Sequence, residues 1–88
     1  MKLIVAILRD EDSETVSHAL IAASFRVTRI ASTGGLWRRG STTFMIGVEN
    51  EKVDEAIGVI RETCSPTKDP SQTRASLFVL NVAQFEQV

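Results

Sequence analysis

The sequence predicts an α+β sandwich: four strands in one antiparallel sheet and two helices, in the order βαββαβ. Three observations carry this. Leu3–Leu8 and Ala75–Val82 are short, branched, apolar runs of strand length near the two ends of the chain. Val16, Ala19, Leu20 and Ala23, and later Val53, Ile57, Ile60 and Cys64, recur at helical spacing. Between those helical stripes lie two β-branched and aromatic stretches separated by a glycine-containing loop.

The first strand is Leu3 to Leu8, a continuous apolar run that suggests burial on both faces. Arg9-Asp10-Glu11-Asp12 ends it. Asp12 or Ser13 is placed to cap the first helix, with Glu14 favourable in its first turn and an end near Ser24. Phe25 to Ser32 is the second strand, with Phe25 and Val27 on one face and Arg26 and Thr28 on the other. The alternation fails at Arg29-Ile30, which predicts a bulge or an end there. Thr33 to Ser41 is loop. Thr42 to Val48 is the third strand, with Phe44, Ile46 and Val48 on one face, and pairs with the second as a hairpin. Asn50 is a good N-cap for the second helix, which Cys64-Ser65-Pro66 stops. Gly58 inside that helix reflects close packing or simple tolerance. Ser65 to Arg74 is polar loop, and Ala75 to Val82 is the last strand.

This order is that of a ferredoxin-like sandwich, with both helices on one sheet face. The other face is left bare. The first and last strands are nevertheless apolar on both sides. A contiguous bare apolar face is an aggregation liability on a small monomer, so the chain is expected to oligomerise through it.

Eighty-eight residues correspond to one domain, 1–88, with ordinary globular composition: 43% hydrophobic and 24% charged. One cysteine excludes an internal disulfide framework and suits a reducing cytoplasm. No apolar run approaches the ~20 residues of a membrane span. The opening apolar run ends in acids without a cleavage site, so it reads as a strand rather than a signal peptide. The net charge of −1 does not suggest general nucleic-acid binding.

Positive charge is nevertheless concentrated. Phe25 to Val48 holds Arg26, Arg29, Arg38 and Arg39, the Gly34-Gly35 pair and Trp37, and no Asp or Glu occurs from Thr15 through Val48. Such a loop suits a phosphate-bearing ligand, through backbone N–H groups, arginine forks and hydroxyls. A solvated hairpin tip has the same composition, and both readings stand on local chemistry alone. Gly34-Gly35 supplies positive φ for a turn in either. Trp37 is placed either to stack on a base or to anchor the loop. Gly35 to Thr42 only approaches a Walker pattern, because Ser41 stands where the lysine must be and a strand follows.

An enzyme reading finds no catalytic set. There is no tyrosine, His18 is off the apolar stripe, and Cys64 continues a core stripe. A phosphate-cradling first loop is excluded by Asp10-Glu11-Asp12. Single-stranded RNA recognition needs aromatics on the central strands, and the first strand has none. No cysteine pair or histidine cluster offers a metal site.

The opening MKLIVAILRDED, the stretch FRVTRIASTGG, the pair Thr42-Thr43, the run IGVENEKVDEAIGVIRETC and the ending LFVLNVAQFEQ together resemble the PII-like cyclic-di-AMP receptor family of bacteria. The resemblance covers nearly the whole chain. It implies a ferredoxin-like homotrimer that is not an enzyme, with no cofactor, holding cyclic di-AMP in clefts between subunits and acting on an unidentified downstream protein. By matching position, Arg26 and Thr28 would contact the ligand, Thr33, Gly34 and Gly35 would wrap it, and Leu36 and Trp37 would lie near an adenine. Gly47 would leave room for the base, Ser41 would take the place of a usual Asn, and Gln87 would come from the rim or a neighbouring subunit. Ser24 stands where the family often has Asn or Gly. The connection Ser65 to Arg74 replaces a long insertion that in the family helps cover the ligand, which predicts weaker binding. The alternative is a divergent trimer binding another nucleotide, or acting only through protein contacts.

Overall fold

A computed structural model of the chain describes residues 1–31, 40–67, 69 and 71–88. Strand β1 spans Lys2–Arg9, helix α1 Ser13–Ala22, β2 Arg26–Ala31, β3 Ser41–Val48, α2 Val53–Thr63 and β4 Ala75–Asn81. Each helix is preceded by a single 3-10 turn, Asp10–Asp12 and Asn50–Lys52. The sheet order is β2-β3-β1-β4, and every neighbouring pair is antiparallel. This is the ferredoxin-like α+β sandwich.

Register explains the core. Ile4 lies opposite Ile46 and Val79, and Ala6 opposite Phe44 and Leu77. Ile4, Ala6, Phe44 and Ile46 are fully buried beneath Val16 and Leu20 of α1 and Ala56 and Ile60 of α2. Both helices therefore cover one sheet face, the even-numbered side of β1 and β3. Leu3, Val5 and Met45 lie on the other face and are half-buried. On β4 that face carries Phe78 and Leu80, which remain 47% and 48% exposed. The bare apolar face expected from the strand composition is present, and it is most exposed at the β4 edge.

Val27 packs against the core opposite Ile46, while Arg26 and Thr28 lie opposite Gly47 and Met45 on the open face. The register shifts between Arg29 and Ala31, at the point where the sequence loses alternation. Gly58 has open space around it, so tolerance rather than close packing explains it.

Both predicted helix caps are corrected. Asn50 opens the 3-10 turn and does not cap α2, whose N-cap position is Lys52 without a side-chain bond. Asp12 occupies the N-cap position of α1, but its carboxylate does not turn back to the helix. Its Oδ2 accepts from Arg9 Nε and Nη2 at 3.2 and 3.0 Å, and its Oδ1 accepts from the Ser65 amide at 3.1 Å and from the Ser65 hydroxyl. Arg9 also donates to the Ser65 carbonyl. The nearby Arg9 charge and the distant Ser65 donors together outbid the helix cap, because a buried carboxylate needs several donors, one of them charged.

Helix α1 ends in a Schellman motif. The Phe25 amide donates to Leu20 O and the Ser24 amide to Ile21 O, each at 2.9 Å. Ser24 takes the left-handed position of that motif, with φ of 71°. The preference of this position for Gly or Asn has a backbone cause.

Candidate binding groove on the open sheet face

The Schellman turn delivers the chain directly into β2, so Arg26 is the first residue of the strand. Strand alternation then sends Arg26 and Thr28 to the helix-free face, where both are exposed. Among the described residues no carboxylate lies within ion-pairing distance of Arg26. Arg29 differs. It lies on the helix side, donates to Glu14 Oε1 at 3.0 Å and places its guanidinium 5.8 Å from the centre of the Phe44 ring. Arg29 thus has an acidic partner on its own chain, which Arg26 lacks among the described residues. His18 is a surface residue, 3.6 Å from Glu14. Cys64 is buried, and burial, reinforced by the Asp12 charge, pushes its thiol pKa up, away from nucleophile chemistry.

Arg26, Thr28 and Gly47 edge a groove of about 550 Å³. Leu3 and Met45 contribute apolar wall on the sheet side, Met1 joins the lining, and the segment after β4 adds Val82, Gln84, Phe85 and Gln87. Four residues selected from the sequence, Arg26, Thr28, Gly47 and Gln87, therefore line one cavity, although they come from three separate stretches of chain. Ser41 does not join them. It pairs with Arg9 at the opposite end of β3 and lines a second cavity of about 370 Å³ with Arg9, Gly40 and Arg74. At ~3.3 Å per residue, the step along β3 from Ser41 to Gly47 is ~20 Å. Thr33, Gly34, Gly35, Leu36 and Trp37, with Arg38 and Arg39, lie outside the described residues.

Sequence reasoning missed the apolar wall. Leu3 and Met45 join Arg26 only through the β1–β3 and β2–β3 registers, which no local pattern specifies. Phe85 carried a signal, an aromatic residue in a polar tail, and it is 59% exposed in the groove. Among the described residues, no helix is long and apolar enough to cross a membrane.

A ferredoxin-like sandwich with an exposed apolar face, and a groove edged by an arginine that has no ion-pair partner among the described residues, has the form of a ligand-binding module. The chain belongs to the cyclic-di-AMP receptor family, whose sequence model matches residues 1–73. That span contains Arg26, Thr28, Ser41 and Gly47 and ends before β4 and Gln87. The fold is also similar to a solved structure described as a functionally unknown protein from Pediococcus pentosaceus ATCC 25745. The two share 35% identity over 99% of this chain and 96% of that chain, with a TM-score of 0.78.

Proposed function

We propose that the protein is a non-catalytic, PII-like cyclic-di-AMP receptor that works as a homotrimer, with the ligand held between neighbouring subunits. The observation that carries this reading is the convergence of Arg26, Thr28, Gly47 and Gln87 on one groove, with no carboxylate paired to Arg26 among the described residues. The guanidinium offers a planar fork to a phosphate or an adenine ring nitrogen, and Thr28 offers a hydroxyl to a base edge. Leu3, Met45 and Phe85 supply the apolar surface a base needs, and Gly47 leaves space beside them.

Two features support a site shared between subunits. Ser41 lies ~20 Å along β3 from Gly47, too far for both to touch one base from the same chain. The exposed Phe78 and Leu80 also call for cover. A closed three-fold ring covers the face and repeats one cleft per subunit. Calorimetric titration with cyclic di-AMP, with cyclic di-GMP and ATP alongside, tests the ligand. Saturable binding of cyclic di-AMP, one per subunit, is the expected result, and no heat with cyclic di-AMP overturns it. Sedimentation tests the assembly, and a monodisperse monomer at micromolar concentration overturns the trimer.

A further inference from the structure

Two cavities meet at the start of β2. One is the groove of about 550 Å³ on the open face. The other, about 310 Å³, adjoins it with Ser24 and Lys52 among its walls. They share Met1, Arg26 and Gly47. Arg26 and Gly47 are held opposite each other by strand pairing, so neither backbone moves without breaking the sheet. Met1 is held differently. Its carbonyl accepts from the Val82 amide at 3.3 Å, which tethers the backbone and leaves the side chain free. That side chain is unbranched, with three rotatable bonds. Its ε-methyl stands over Gly47, so close that a methyl group on Gly47 would come within 3.2 Å of Met1 Cε. Met1 is also 44% exposed, so little contact holds it there.

We propose that the Met1 side chain is a movable partition, and that a ligand base entering the groove displaces it from Gly47. In the free protein the thioether occupies the flat floor that the missing Gly47 side chain provides. A planar base needs the same floor. Swinging Met1 outward joins the two cavities and leaves Arg26 at the seam, facing both. Met1 thereby lowers apparent affinity, because only the fraction of molecules with the floor clear is competent to bind.

The inference rests on the groove being the cyclic-di-AMP site, and one set of titrations separates the two ideas. Position 1 is varied behind a short Gly-Ser extension, which the parent also carries. If that parent binds no cyclic di-AMP, the site assignment falls and the partition with it. If it binds, Met1→Ala binds about three- to tenfold tighter because the blocked state is removed. Met1→Leu keeps an apolar side chain but lacks the terminal methyl that reaches Gly47, so it also binds tighter than the parent, which separates the effect from mere loss of apolar surface at position 1. Unchanged or weaker binding by Met1→Ala overturns the partition alone. Isotope labelling of the Met1 ε-methyl gives a second readout. Its contact with the Gly47 α-protons is present in the free protein and lost on saturation with ligand, and its persistence at saturation overturns the proposal.

Discussion

Arg9 and Arg26 carry the same side chain on the same sheet, and their surroundings are opposite. Arg9 ends β1 with its fork on Asp12 Oδ2 and on the Ser65 carbonyl, and the other Asp12 oxygen takes the Ser65 amide and hydroxyl. Asp12 is 1% exposed. The cluster ties the end of β1 to the segment that leaves α2. Arg26 begins β2 beside a groove, with no ion-pair partner among the described residues. A guanidinium surrounded by its own acceptors serves the fold. One left open beside apolar wall is available to a ligand. Removing each should therefore separate stability from binding.

The largest effect is expected at the closed cluster. Asp12→Ala leaves Arg9 and the Ser65 amide without their buried acceptor and should cost about 2–4 kcal/mol in urea unfolding. If the loss is below ~0.5 kcal/mol, the cluster does not hold the fold and the comparison fails. The pH dependence follows from the same contacts. Burial alone raises the Asp12 pKa, but the Ser65 hydroxyl and amide and Arg9 outweigh it, and the net value lies below the ordinary carboxylate range. The unfolded carboxyl titrates near pH ~4. The stabilisation is therefore full above that value and is lost as pH falls through the lower folded value. The urea midpoint of the parent should fall more steeply below pH ~4 than that of Asp12→Asn.

The open arginine should show the reverse profile. Arg26→Ala removes a charge-assisted hydrogen bond worth ~1.5–3 kcal/mol, or about one to two decades of cyclic-di-AMP affinity. Its unfolding free energy should stay within ~0.5 kcal/mol of the parent. Arg26→Lys should also bind poorly, because an ammonium does not reproduce the planar fork. Equal affinity in Arg26→Ala, or an unfolded apo protein, would make Arg26 structural like Arg9.

The smallest effect lies next to Arg26, in the turn that aims it. Ser24 holds φ at 71° without glycine's freedom. Ser24→Gly should raise stability by ~1 kcal/mol, read as a shift in the urea midpoint, with cyclic-di-AMP affinity unchanged. A loss of affinity would mean that the Ser24 hydroxyl, on the wall of the smaller cavity, belongs to the site.

Local pattern was enough for most of the fold. Alternation in β2 put Arg26 and Thr28 on one face and failed where the bulge occurs. Helical stripes named Val16, Leu20 and Ile60 as core. Strands apolar on both sides implied an uncovered face, and Phe78 and Leu80 lie on it. Periods of 2 and 3.6 residues are properties of the chain itself, so they can be read without its neighbours.

What a residue meets across the molecule could not be read that way. Both Arg26 and Arg29 lack a nearby acid in the sequence, yet Arg29 finds Glu14 because α1 packs against its side of β2. Asp12 looked like a helix cap and instead binds Ser65, 53 residues away. Ser41 and Gly47 share a strand, but the strand's length sets them at opposite ends of the sheet. Met1, Leu3, Met45 and Phe85 meet Arg26 only through register and through the path of the chain after β4. Pairing register depends on the total burial of all the strands, and a slip of one residue would send every side chain of a strand to the other face. The groove is decided at that level, while the arginine that edges it was already legible in the chain.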